Sequence, residues 1–85
     1  MYSNANQSEF CVAAVSSMTV AIRAQKALMA VGVQGEVISL PPHATKRGCG
    51  WGVEFPAASE LTARSTLRTA KIPVSQYIRK GGNGH

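Results

Sequence analysis

The sequence predicts a small α+β sandwich in which a four-stranded antiparallel sheet carries two helices on one face. Three observations predict it. Residues 10–15 are a short, continuous apolar run, and residues 51–55 alternate strictly, with Trp51, Val53 and Phe55 on one side and Gly52 and Glu54 on the other. Each of these strand-like runs comes before a stretch of helical periodicity. A further β-prone segment follows each helix, so the order reads β-α-β-β-α-β. Right-handed crossovers fold two β-α-β halves into the ferredoxin-like arrangement, with spatial strand order fourth, first, third, second.

Phe10–Val15 has the length and continuity of a buried central strand, closed by Ser16 and Ser17. Residues 19–31 form the first helix, with Ser17 as its N-cap and Gly32 ending it. Residues 35–40 form the second strand, which Pro41 and Pro42 end. The least regular part of the chain runs from there to Gly50. Pro56 ends the third strand. Residues 58–72 form the second helix, with Ser59 as candidate cap, Ala63, Leu67 and Ala70 on its inner face and Pro73 as its stop. Residues 74–80 are the last strand. Residues 1–8 read as a flexible leader, 9–80 as a single α+β domain and 81–85 as a flexible tail.

The chain has 85 residues, 45% of them hydrophobic and 15% charged, which excludes a disordered chain and two catalytic lobes alike. Nine Lys and Arg against four Asp and Glu leave a formal charge of +5, which attracts anions and also serves solubility. No stretch approaches the roughly 20 apolar residues of a membrane span. The polar, uncharged start lacks the pattern of a secretory signal, so the expected location is cytoplasmic. There Cys11 and Cys49 are free thiols. With His43 and His85 they have no metal-ligand spacing, and no metal site is expected.

In this topology the end of strand one, the start of helix one and the loop between strands two and three share one edge. Gly48, Cys49 and Gly50 then lie beside Ser16, Ser17 and the first helical turn, whose free N–H groups receive anions. A thiolate is such an anion, and a helix N-terminus with nearby cations lowers a cysteine pKa from about 8.5 toward 7 or below. Lys46, Arg47 and His43 occupy the same loop. Two readings of Cys49 stand at this point: an exposed, activated thiol, or a small buried filler at a tight strand entry. Cys11, inside an apolar strand with no cation near it in sequence, reads as core filler. Trp51 reads as core or rim by its strand phase.

These features resemble the selenium/sulfur carrier protein-like family (domain of unknown function 3343). The residues that carry the resemblance are Val15-Ser16-Ser17, the helix with Ala21, Ala24, Gln25 and Lys26, Leu40-Pro41-Pro42-His43, and Gly48-Cys49-Gly50 opening the next strand. Compared with that pattern, His43 stands in place of the usual Arg after the second proline. Lys46-Arg47 replaces a frequent Ser, and Gln25 replaces an acidic residue. The resemblance implies a persulfide or perselenide carried on Cys49, with Gly48, Gly50, Ser16, Ser17, His43, Lys46 and Arg47 around it. It needs no other cofactor and implies a sulfur or selenium donor protein and an acceptor protein.

The leading expectation is therefore a non-enzymatic carrier. The alternative is a basic nucleic-acid-binding or assembly module of the same fold, without a reactive residue. RNA-binding domains of this shape stack bases on aromatics of the open sheet face. Phe10, Trp51 and Phe55 would be needed there, but Trp51 and Phe55 share the phase of Val53 and so belong to the core, which leaves only non-specific, charge-driven nucleic-acid binding. Strand one is apolar on both faces, and Phe10, Val12 and Ala14 are expected to leave an apolar strip on the uncovered face. A homodimer or higher oligomer through that face or a sheet edge follows, against a monomer whose side chains are too small to associate.

Overall fold

The computed structural model describes residues 9–41 and 50–80. Its elements are β1 (Phe10–Val15), α1 (Met18–Ala30), β2 (Glu36–Ser39), β3 (Trp51–Pro56), a 3-10 turn (Ala57–Ser59), α2 (Glu60–Thr69) and β4 (Gln76–Lys80). The strands form one antiparallel sheet in the order β2-β3-β1-β4, the expected ferredoxin-like order read from the other edge. β1 lies in the interior, with Cys11 opposite Phe55 on one side and Arg79 on the other.

Alternation decides which side chains meet the helices. Cys11, Ala13 and Val15 of β1 and Val53 and Phe55 of β3 join Ala21, Ala24 and Leu28 of α1 and Ala63 and Leu67 of α2 in one buried cluster. Trp51 packs half-buried against it. Small side chains at the sheet–helix contact let both helices approach closely, and Phe55 fills the bulk. Full burial of such a ring is worth about 1.5–3 kcal/mol.

Val12 and Ala14 point to the other face, which carries no helix, yet both are completely buried. A Cβ added to Gly52 would lie 2.7 Å from Val12 Cγ1 and 3.1 Å from Leu40 Cδ1. The missing side chain of Gly52 is thus the gap into which Val12 and Leu40 pack. Of the strip expected there, Val12 and Ala14 are covered, whereas Phe10 is half-buried. β2 and β4 are the edge strands.

The helix bounds differ from expectation at α2. The chain enters through the 3-10 turn, with Glu60 N–H donating to Ala57 O, so Ser59 has φ −100° and ψ 11° and makes no side-chain cap bond. α2 ends at Thr69, before Pro73 could act, and Ala70 is exposed as its C-cap. β2 is shorter than expected and β4 starts at Gln76 rather than 74.

Both helices end in one way. Gly32 N–H bonds to Met29 O (3.1 Å) and Val33 N–H to Leu28 O (2.9 Å). At α2, Lys71 N–H bonds to Arg68 O and Ile72 N–H to Leu67 O, each at 3.0 Å. Each pair is a Schellman closure, and Leu28, Val33, Leu67 and Ile72 are all buried. The residue after each cap is left-handed: Gly32 at φ 81° and Lys71 at φ 60°. Glycine takes that conformation freely, whereas a residue with a Cβ loses roughly 1–2 kcal/mol. Lys71→Gly is therefore expected to raise stability by about 0.5 kcal/mol once glycine's entropy is counted. A urea midpoint that fails to rise would show that Lys71 is not strained.

Candidate functional site

The end of the sheet at Val15 gathers the polar residues of interest. Val15 pairs with Trp51, so Ser16 and Gly50 are the next residues on neighbouring strands. Leu40 N–H donates to Gly50 O at 2.7 Å, which extends the β2–β3 pairing to the base of their connecting loop. Ser17, extended at φ −156° and ψ 164°, caps α1: its Oγ accepts from Val20 N–H at 3.2 Å, and its carbonyl accepts from Ala21 N–H at 3.0 Å. The other N–H groups of the first turn have no partner within the helix and give this end a partial positive charge.

On the opposite side of β1, Ser75 donates both its N–H (2.8 Å) and its hydroxyl (3.1 Å) to Ala14 O. It lines the same end of the sheet. Sequence reasoning passed over Ser75, because a serine in a short turn looks the same whether or not it meets a strand 61 residues away. Of the residues singled out from sequence, Ser16, Ser17 and Gly50 come together at this end. Gly48, Cys49, His43, Lys46 and Arg47 lie outside the described residues. Gln25 is not at the site: its Nε2 donates to Gly35 O at 3.0 Å and ties α1 to the start of β2, a bond that an acidic side chain could not donate.

Cys11 is buried, as expected of a core residue, but its surroundings are charged. Its thiol donates to Glu60 Oε1 at 3.6 Å. Arg79 Nη2 donates to the same oxygen at 2.6 Å, Arg64 Nε to Glu60 Oε2 at 3.0 Å, and Arg79 Nη1 to Glu9 Oε1 at 3.2 Å. Burial pushes the Cys11 thiol up, and the charge and hydrogen bond of Glu60 push it further. The two arginines only partly oppose this. For Glu60, desolvation pushes the carboxyl up, but the bonds from Arg64 and Cys11 and the two guanidinium charges hold it below the usual range. Apart from the Arg64–Glu60 pair, one helical turn apart, these contacts span 19 to 70 residues of sequence, so no local pattern announces them.

Among the described residues, no group of three or more His, Cys, Asp and Glu converges to hold a metal, and no helix is long and apolar enough to cross a membrane. A cavity of about 390 Å³ opens at the opposite end of the sheet, lined by Phe10, Gln34, Gly35, Glu36, Glu54, Phe55 and Pro56, with no nucleophile among them. With this geometry in place, the comparison with known families is specific. The chain belongs to the family described as "Putative Se/S carrier protein-like", whose model matches residues 10–79, from β1 into β4. No curated protein and no solved structure matches the chain.

Ser17→Ala is expected to cost about 1 kcal/mol by removing the cap, measured by urea unfolding. No loss would mean that another group holds the helix end. Glu60 gives a pH signature. Its depressed carboxyl contributes stability that is present above the unfolded value and lost as pH falls through the folded one. The acid-side loss in the urea midpoint should therefore shrink in Glu60→Gln. An identical acid profile in the variant would remove Glu60 from the account.

Proposed function

We propose that the chain is a sulfur or selenium carrier whose carrier atom is Sγ of Cys49. The single observation that supports this most is membership of the carrier-like family over residues 10–79, together with what the described residues bring to one end of the sheet. The peptide bond ties Cys49 to Gly50, and Gly50 lies at the sheet end where Ser17 caps α1. An anion near that helix terminus is favoured by the first-turn N–H groups, and a thiolate is an anion. Lys46, Arg47 and His43 are close in sequence and add positive charge or a titratable donor.

In the loading step the Cys49 thiolate attacks the outer sulfur of a donor persulfide. The new S–S bond forms as the donor's S–S bond breaks, and the donor leaves as a thiolate. Electrons balance within the pair, so no outside oxidant is needed. Selenium follows the same course as a perselenide. Delivery reverses the step on an acceptor thiol. Cys11 is unsuited to this work, since burial and Glu60 keep it protonated. The nucleic-acid reading has weak support: Phe55 is core and Trp51 packs on the helix side, while the open face carries Glu36 opposite Glu54.

The test is intact mass of the chain purified without reductant, or exposed to polysulfide and desalted. The expected result is the added mass of one sulfur or selenium atom, removed by dithiothreitol, absent in Cys49→Ser and retained in Cys11→Ala. In the folded chain, iodoacetamide at neutral pH should modify Cys49 well before Cys11. Loading that persists in Cys49→Ser would overturn the reading.

A further inference from the structure

Charge is unevenly placed on this domain. On the helices, Arg23 and Lys26 of α1, Arg64 and Arg68 of α2 and Lys71 just beyond it are all exposed. The one carboxylate on these helices, Glu60, already accepts from Arg64, Arg79 and Cys11. Arg68 and Lys71 have no carboxylate partner among the described residues.

Two of these cations border a groove between α2 and β4. It measures about 230 Å³ and is lined by Arg64, Arg68, Ile72, Val74 and Tyr77. Arg64 is held from two sides, by its Nε bond to Glu60 and by stacking 4.3 Å over the Tyr77 ring. That uses one of the guanidinium's five donors and keeps the group in place. Ile72 and Val74 supply an apolar wall beside the two guanidiniums. The groove is smaller than ordinary small-molecule pockets of roughly 300–1,000 Å³, so it suits one or two side chains of a docked segment. β4 is an edge strand, so an extended segment can lie along it.

We propose that this groove docks an acidic peptide segment of a partner protein, with a carboxylate on Arg68 and Arg64 and a neighbouring apolar side chain against Ile72 and Val74. A protein segment fits better than RNA. Arg64 covers a face of the Tyr77 ring, which a base would otherwise stack on, and a separate apolar wall gives a phosphate backbone nothing. None of the described residues that line the groove is one the carrier reading uses, so the proposal stands apart from that reading.

The experiment titrates the full chain into a fluorescein-labelled peptide of alternating Glu and Leu, with the Lys and Leu counterpart as control. Arg68→Glu is expected to weaken binding about tenfold or more, and Arg68→Gln about threefold. Arg23→Glu, the same charge change on α1, should change it by no more than about twofold. Cys49→Ser should leave binding intact, which separates failure here from failure of the carrier reading. Arg68 is exposed and has no ion pair among the described residues, so its variants should fold, with circular dichroism as the check. No binding by the unmodified chain, or equal loss in Arg68→Glu and Arg23→Glu, would overturn the proposal. So would tighter binding of polyuridylate that is lost with Arg68, since that assigns the groove to nucleic acid.

Discussion

From Cys11 to Val15, β1 carries no side chain larger than valine, and it is bonded to β3 along one edge and to β4 along the other. That double pairing is the constraint on which the rest of the domain depends. It makes β1 an interior strand, and its residues from Cys11 to Val15 are buried on both faces, all of them apolar and small. On one face the small residues admit the helices. On the other, Val12 needs the gap left by Gly52. Because β1 ends between its two neighbours, the residues that follow it emerge beside the start of β3 and the approach to β4. This brings Ser16, Ser17, Gly50 and Ser75 to one end of the sheet.

The two halves of the chain solve the same problem at their helix ends. Leu28 and Val33 in one half, and Leu67 and Ile72 in the other, are both leucine and a β-branched residue five positions apart. Each pair closes a helix by the same two backbone bonds and is buried. The halves differ in what takes the left-handed position: glycine in the first, lysine in the second. The strained lysine continues a row of cations along α2, at Arg64, Arg68 and Lys71, which leaves the second half the more basic flank.

Glu60 ties the structural and electrostatic features together. It stands in the first turn of α2, where a carboxylate suits the helix dipole, and it accepts from a buried thiol and two arginines. Cys11 sits under a carboxylate that disfavours its ionisation. Cys49, by contrast, follows Lys46 and Arg47 in sequence.

By itself, the sequence determined the element order, the strand order and the faces of β1 and β3, because periods of two and 3.6 are local properties that burial then enforces. The Ser17 cap and the left-handed Gly32 were legible for the same reason, since each acts within a few residues of itself. Only the tertiary structure decided that Val12 would be buried on the face without helices, because the filling of that face depends on a missing side chain in another strand. It alone turned Ser59 from a cap into part of a 3-10 turn, brought Ser75 to the end of the sheet at Val15 and placed Arg79 and Glu60 around Cys11. These outcomes depend on residues far apart in sequence, and folding brings their side chains together only after the local periodicities have set the strands in register.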